Sequence, residues 1–448
     1  TEGLVGSEMC IRDSPSTHKT SKKSWLSNSI ICSKQRLDWV KNNIIILGGG
    51  QAGIYAAREI RQNDSKSNIK ILGEENLLPY ERPPLSKDFL LDKKKEEDLY
   101  FHSSDVLKNE NIEFENISIN KVDFENKKLF AKNDNVYSYD SLLISTGSEN
   151  KKLTLDNNLK NDIYYLRNLE EAKKIKEIVS NKNKITIIGG GFIGLEIASS
   201  LSQLQKKVIV IEIGNQLMGR IIPKQIADLV QNTHIEHGNE IILNKQIEKI
   251  TKKNGDYEIL LNDNSLIETD FIIAGIGSTP TVKLFENTNL KLDNGIVTNQ
   301  FCETSIKDVY AAGDVSNFYH PFYERNMRLE SYQHAQNHGI CAGKNIAGVK
   351  TEYTSIPWMW SDQFNLNLQL TGICDEYDEI IERGNDINNG VIYFFLKNNK
   401  IRGACGVGII GKVGRDIKIT SKLAEKDTIV DKQILSDQNL KLNKLLQK

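Results

Sequence analysis

No two cysteines in this 448-residue chain are close enough to form a Cys-x-x-Cys unit or a slightly wider one. The six, Cys10, Cys32, Cys302, Cys341, Cys374 and Cys405, are scattered. That spacing excludes a local redox-active disulfide and argues against zinc, so reduced and mostly buried thiols are expected. There is also no excess of charge: 58 Lys and Arg stand against 59 Asp and Glu. Non-specific nucleic-acid binding needs a basic field and is excluded on that ground. No run of about 20 apolar residues exists, so no membrane span is expected, and a cytoplasmic location is the working expectation. The length allows two or three domains with a sizeable core.

What is present is a pattern given twice. Asn43-Ile-Ile-Ile-Leu47 reads as a short buried strand, followed by Gly48-Gly-Gly50-Gln51-Ala52-Gly53 and a helical stretch. Lys184-Ile-Thr-Ile-Ile188 is followed in the same way by Gly189-Gly-Gly191-Phe192-Ile193-Gly194 and a second helix. Such a turn lets backbone approach a pyrophosphate, and the helix N-terminus then offers free N–H groups and a positive dipole end. One hexapeptide of this kind is a weak signal. Here each unit is completed by a carboxylate after the next strand: Glu74 after Ile69–Leu72, and Glu212 after Val208–Ile211. These carboxylates suit ribose hydroxyls. Glu212 favours NADH over NADPH, because it would repel a 2′-phosphate and no arginine follows at once. Two such units imply two dinucleotides on one chain.

Beyond the first unit lies Pro79-Tyr-Glu-Arg82-Pro-Pro-Leu-Ser-Lys87, read as a proline-stiffened extended loop. It either carries solvated charges or holds Arg82 and Lys87 towards an anionic or electron-rich group. This stretch, placed soon after a dinucleotide turn, resembles the FAD-dependent, NADH-using ferredoxin reductases of bacterial oxygenase systems. The resemblance extends over residues 43–446, with its motifs in order. It implies that Lys87 sits by the flavin ring and that Arg82 reaches the flavin nucleotide. Ile119 falls where the family makes a backbone contact to the adenine end. Ser145-Thr146-Gly147 looks like the family's Ala-Thr-Gly signature. Lys151 stands where an arginine often touches FAD; it keeps the charge but loses the planar fork.

Glu196 is read either as a first-turn acid complementing the helix dipole or, through the resemblance, as the partner of Lys87 near the nicotinamide. Asp270–Gly277 reads as a strand ending on a glycine turn, with Gly277 near the nucleotide. Gly313-Asp314 closes another strand; the aspartate is either an N-cap for a following helix or, as the family's second FAD fingerprint, an acceptor for a ribitol hydroxyl. Tyr332 occupies a position where family backbone touches the flavin. Pro357-Trp-Met-Trp360-Ser-Asp-Gln resembles a family motif with Met359 in place of phenylalanine, and implies that Trp360 lines the dimethylbenzene side. His334 and His338 have metal-ligand spacing, but no third ligand accompanies them, so helix packing or surface polarity is expected and no metal. Lys397, Lys400, Arg402, Lys412, Arg415 and Lys418 are either scattered solvated charge or a docking sector for an acidic partner.

The expected fold is α/β: two Rossmann-like dinucleotide-binding domains, for FAD and NAD, plus a C-terminal α+β domain. Residues 42–150 and 278–355 are expected to build the FAD domain, 151–277 the NAD domain and 356–448 the last. Residues 1–41 are expected to be a disordered leader, part of it resembling translated sequencing adapter rather than protein. Ile112–Phe130 suggests strands of a small meander, Leu169–Val179, Ile417–Leu423 and Leu440–Leu446 helices. The resemblance implies a flavoprotein with FAD and NADH as cofactors. It would pass single electrons to a small 2Fe–2S ferredoxin or rubredoxin that feeds a Rieske dioxygenase or haem monooxygenase. Two other readings stand beside it: a flavoprotein reductase or oxidase acting on a small-molecule acceptor, and a redox-sensing protein similar to apoptosis-inducing factor. The oligomeric state is open.

Overall fold

Strand Asn43–Leu47 pairs in parallel with Asn68–Gly73 on one side and with Ser141–Ile144 on the other. Val309–Ala311 and Ile112–Asn116 complete a five-stranded parallel sheet. The computed structural model describes residues 43–154, 159, 161–219 and 221–447, so the expected leader lies outside the described residues. A second five-stranded parallel sheet repeats the plan, in the order Glu240–Ile242, Lys207–Ile211, Lys184–Ile188, Phe271–Ala274, Ile163–Tyr164. The central strands of both sheets are continuous β-branched and aliphatic runs, buried on both faces. That is what covered parallel sheets require.

The chain passes between the two sheets at one place. Ser148–Asn150 on the outward path pairs antiparallel with Ser278–Pro280 on the return. After that return, Val309–Ala311 joins the first sheet beside Ser141–Ile144. The final region is a five-stranded antiparallel sheet, Trp358–Gln363, Leu366–Gly372, Lys400–Ile409, Val391–Lys397 and Glu379–Arg383 in spatial order. Helix Gly414–Glu425 packs its buried Ile417, Thr420, Leu423 and Ala424 against that sheet.

Several local expectations change. Ile112–Asn116 is the edge of the first parallel sheet, and the meander is Ile119–Asp123, Lys128–Ala131 and Val136–Ser138. An alternating pattern fits either kind of edge strand, so periodicity alone does not assign the partner. Residues Leu442–Gln447 form a 3-10 helix. The two prolines do not sit in an extended loop: Pro83–Ser86 is a 3-10 turn with both prolines in its first positions. Proline's missing N–H costs nothing there, because those donors have no partner within the turn.

His334 and His338 lie on helix Tyr332–Ile346 and are fully buried with Phe318 and Tyr353. His334 stacks on Phe318 at 4.8 Å and bonds the Tyr353 hydroxyl through Nδ1 at 2.8 Å. His338 Nδ1 accepts from the Gly313 amide at 3.2 Å. The pair therefore packs one end of the first sheet's core and is not surface polarity. Burial holds His334 down at about 3 and His338 well below its ordinary value. Both stay neutral in the fold, whereas the unfolded chain takes up protons near pH 6.5. Their contribution is whole above that pH and is lost as pH falls below it, by about 1.4 kcal/mol per pH unit for each. Urea unfolding from pH 7 to 5 is expected to show a steep loss of stability. A His334→Gln, His338→Gln double variant should be less stable at pH 7 with a shallower slope; equal slopes would show that these residues do not carry the effect.

Candidate functional site

The two glycine turns are built alike. Gly48 has φ +118° and Gly189 φ +103°, and a Cβ on either would lie 2.2 or 2.4 Å from a carbonyl oxygen, of Ser145 and Gly275 respectively. The third glycines, Gly53 and Gly194, press against the carbonyls of Gly48 and Gly189 at 2.2 and 2.3 Å from where a Cβ would stand. Those contacts seat each helix on its strand. The middle glycines, Gly50 and Gly191, face open space, and no side chain caps the helices Gln51–Asn63 and Phe192–Gln203 that they begin. Each turn thus leaves an uncapped helix end above the C-terminal edge of a parallel sheet, where doubly wound folds take nucleotides.

Around the first turn the structure gathers most of the residues that the sequence motifs single out. A Cβ on Gly313 (φ +78°) would touch that of Ala52 at 3.0 Å, so the Gly313-Asp314 turn lies directly against the glycine turn. Asp314 accepts from Ser148 Oγ at 3.1 Å and pairs with Arg167 at 3.0 Å. It is not an N-cap, because strand Ser316–His320 follows it. Thr146 donates to the Thr281 carbonyl at 2.9 Å, and Gly147 next to it adopts φ +71° with the Arg167 guanidinium against it. Gln51 opens the helix, and its Oε1 is buried with no partner. Glu74 is exposed at the sheet edge, accepting from Ser118 Oγ at 3.2 Å, with half-buried Ile119 next in sequence to that serine. Tyr332 bonds Glu81 at 2.9 Å and meets the Trp360 ring edge-on at 5.7 Å; Trp360 in turn stacks on Trp358 at 5.1 Å.

Arg82 is half-buried and held by its neighbours. It pairs with Glu75, donates to the Arg167 carbonyl at 2.7 Å and lies over the Tyr80 ring. Nothing in the sequence marks Arg167. It stands between strand Ile163–Tyr164 and helix Leu169–Ser180 with no motif around it, and only the fold brings it to Asp314. Lys151 and Gly277 meet at the crossing between the sheets, where the Lys151 amide donates to the Gly277 carbonyl at 3.0 Å.

At the second turn Glu212 spans the glycine loop, accepting from the amides of Gly190 and Gly214, both at 2.7 Å. Phe192 and exposed Ile193 open the helix. Glu196 is not in its first turn: it lies one turn further in and is 6 % exposed, so the dipole account does not hold. Instead it meets Lys87 at 2.8 Å across the boundary between the two nucleotide-type regions. Ser86 and Ser361 donate to its two oxygens at 2.5 and 2.7 Å. Both serines lie inside sequence motifs, yet only packing assigns them to Glu196. A buried carboxylate with one ammonium and two hydroxyl donors is fully satisfied, which a buried ion pair needs.

Three of the six cationic residues of the last region are engaged locally. Lys397 pairs with Glu376, Lys400 with Asp427, and Arg402 lies over the rings of Phe322 and Tyr323. Cys302, Cys341, Cys374 and Cys405 are free.

Residues 42–339 match the family of pyridine nucleotide-disulphide oxidoreductases. The chain belongs to that family. Residues 358–446 match a second family, the reductase C-terminal region. This oxidoreductase is 27% identical to putidaredoxin reductase of Pseudomonas putida over 414 residues, covering 90% of this chain and 97% of that protein. It is 32% identical to rubredoxin-NAD(+) reductase of Ectopseudomonas oleovorans over 340 residues, 75% of this chain and 88% of that one. Among solved structures, the ferredoxin reductase for the CYP199A2 system from Rhodopseudomonas palustris superposes with a TM-score of 0.86 at 27% identity, covering 90% of this chain and 99% of that one. No helix among the described residues is long and apolar enough to cross a membrane.

The first site fits a flavin dinucleotide. Its helix end is uncapped, the Cα of Gly50 opens to space, and the orphaned Gln51 oxygen and the Asp314 carboxylate are acceptors for hydroxyl groups. The second offers an open Gly191 and a carboxylate already engaged with backbone amides, which fits a pyridine nucleotide without a 2′-phosphate.

Proposed function

We propose that this chain is an FAD-dependent, cytoplasmic oxidoreductase that takes a hydride from NADH and passes single electrons to a small iron–sulfur protein of ferredoxin or rubredoxin type. The observation that carries this is the buried Lys87–Glu196 pair joining the two glycine-turn regions. The names of the relatives, a putidaredoxin reductase and a rubredoxin reductase, support the acceptor class. The iron–sulfur protein would serve a Rieske dioxygenase or haem monooxygenase. Residues 42–150 with 278–355 hold FAD, 151–277 hold NADH, and 356–448 close the site.

In this reading the amides opening Gln51–Asn63 hold the FAD pyrophosphate, and Gly48, Gly50, Ala52 and Gly53 let it approach. Glu74 takes the adenine-side ribose, and Asp314 the ribitol. Arg167 and Arg82 fix Asp314 and the Pro83–Ser86 turn, so that Lys87 is held at the flavin. Gly189, Gly191 and Gly194 do the same for NADH, with Glu212 accepting from its ribose. Glu196 and Lys87 align and electrostatically balance the reacting face. FAD, when bound, supplies the switch between two-electron uptake and single-electron release. The hydrogen-bond donors to Glu196 beside Lys87 are the hydroxyls of Ser86 and Ser361. Trp360, with Tyr332 edge-on beside it, would line the dimethylbenzene side of FAD, the rim from which electrons would pass to the iron–sulfur protein.

Purified protein is expected to be yellow, to be bleached within seconds by NADH and much more slowly by NADPH, and to reoxidise on adding a ferredoxin or rubredoxin. Stopped-flow absorbance measures all three. Fast reoxidation by dioxygen alone, with no response to iron–sulfur proteins, would replace this function with that of an oxidase. A bleached form that no acceptor reoxidises would favour a redox sensor.

A further inference from the structure

We infer that Ser361, oriented by Gln363 and His234, is a positioning residue for the Glu196–Lys87 pair, making the C-terminal sheet part of the site that receives NADH. The inference deepens the function proposed above and rests on it.

A line of buried hydrogen bonds leads to Glu196 from behind. Asn239 Nδ2 is 3.0 Å from His234 Nδ1, and His234 Nε2 is 2.9 Å from Gln363 Oε1. Gln363 Nε2 is 3.0 Å from Ser361 Oγ, and Ser361 Oγ is 2.7 Å from Glu196 Oε1. His234 and Ser361 are wholly buried, and the other three are at most 6 % exposed. Burial holds His234 down at about 4, so its ring is neutral and carries one N–H.

One N–H per ring and one O–H per hydroxyl force the whole line to run in a single direction. Asn239 donates to His234, His234 donates through Nε2 to Gln363, Gln363 donates to Ser361, and Ser361 donates to the carboxylate. The reverse direction would send the Ser361 proton to Gln363 and set its lone pairs against Glu196 Oε1, oxygen to oxygen. The carboxylate therefore fixes the direction, and the directed line in turn fixes the carboxylate. Glu196 is left with its other oxygen for Lys87 and Ser86. A second tie fixes the register: the Phe364 amide donates at 2.6 Å to Ser199, one turn beyond Glu196 on the same helix. The line joins three parts of the fold: helix Phe192–Gln203, strand Trp358–Gln363, and the end of helix Lys224–Glu236.

The test uses the FAD-loaded protein with Ser361→Ala and Gln363→Leu. Both should keep their flavin and bind NADH within about 3-fold of wild type, while the limiting rate of flavin reduction falls about 10-fold in Ser361→Ala and less in Gln363→Leu, as expected for one lost bond to a charged group. A wild-type rate in Ser361→Ala, or a rise in the NADH dissociation constant matching the loss of rate, overturns the inference. Nitrogen NMR of 15N-histidine protein, with His234 assigned by loss of its signal in His234→Gln, should report the Nε2–H tautomer. The Nδ1–H tautomer overturns the directed line whatever NADH does. Failure of wild type itself to be reduced by NADH, with the Nε2–H tautomer seen, would sink the proposed function and leave the line standing as a structural device only, which also ends its positioning role.

Discussion

Gly339→Ala is expected to lose flavin during gel filtration and to unfold about 4 °C below wild type. Helices Gln51–Asn63 and Tyr332–Ile346 pack through two glycines one turn apart. A Cβ on Gly339 would stand 2.3 Å from the Ala52 carbonyl oxygen and 3.0 Å from its Cα, and one on Gly343 would stand 2.7 Å from the Ala56 oxygen. The obstacles are backbone atoms, which no rotamer change removes, so the helices must separate. Overpacking of this kind costs about 3 kcal/mol. Ala52 is also the residue against which the Gly313-Asp314 turn is seated. Separating the helices therefore moves the pyrophosphate end of the site away from Asp314, and the effect on flavin retention should exceed the effect on stability. Flavin absorbance after gel filtration and a thermal melt decide it. A melt at the wild-type temperature with flavin retained would show that the contact yields.

Lys87→Met is expected to cost about 3 kcal/mol, the lower end of what breaking a buried pair costs, since Lys87 retains 17% of its side-chain exposure and Glu196 7%. The loss arises from the carboxylate left behind, which keeps two hydroxyl donors but no cation. Adding Glu196→Gln to Lys87→Met should therefore restore most of the stability. It should not restore function: with neither charge present, reduction by NADH should stay about 100-fold slow, because alignment at the reacting face is lost. Urea unfolding and stopped-flow reduction of the single and double variants separate the two effects. Recovery of both stability and rate in the double variant would mean that the pair serves the fold and not the reaction.

Much of the site is legible in the order of the residues alone. The two strand–glycine turn–helix units carry their own chemistry, since only glycine tolerates φ near +100° at Gly48 and Gly189 and only a missing Cβ allows Gly53 and Gly194 to seat their helices. Those are constraints between neighbours in the chain, so local sequence states them. The continuous Ile-Ile-Ile and Leu-Leu-Ile strands likewise announce sheets covered on both faces. What local sequence does not hold is which side chains from distant segments meet. Asp314 reads locally as a helix cap and is followed by a strand. Glu196 reads as a dipole partner and lies one turn deeper, in an ion pair 109 residues from its partner, the difference between positions 196 and 87. Arg167 has no motif at all and reaches Asp314 only because Ser148–Asn150 and Ser278–Pro280 pair at the crossing.

The sequence by itself determined that two strand–glycine turn–helix units stand on two parallel sheets, because pleat, periodicity and glycine geometry act within a few residues. Only the tertiary structure decided how the two are joined. Ion pairs and directed hydrogen bonds depend on ångström distances between segments, and Lys87, Glu196 and Ser361 come together through the packing of three separate layers.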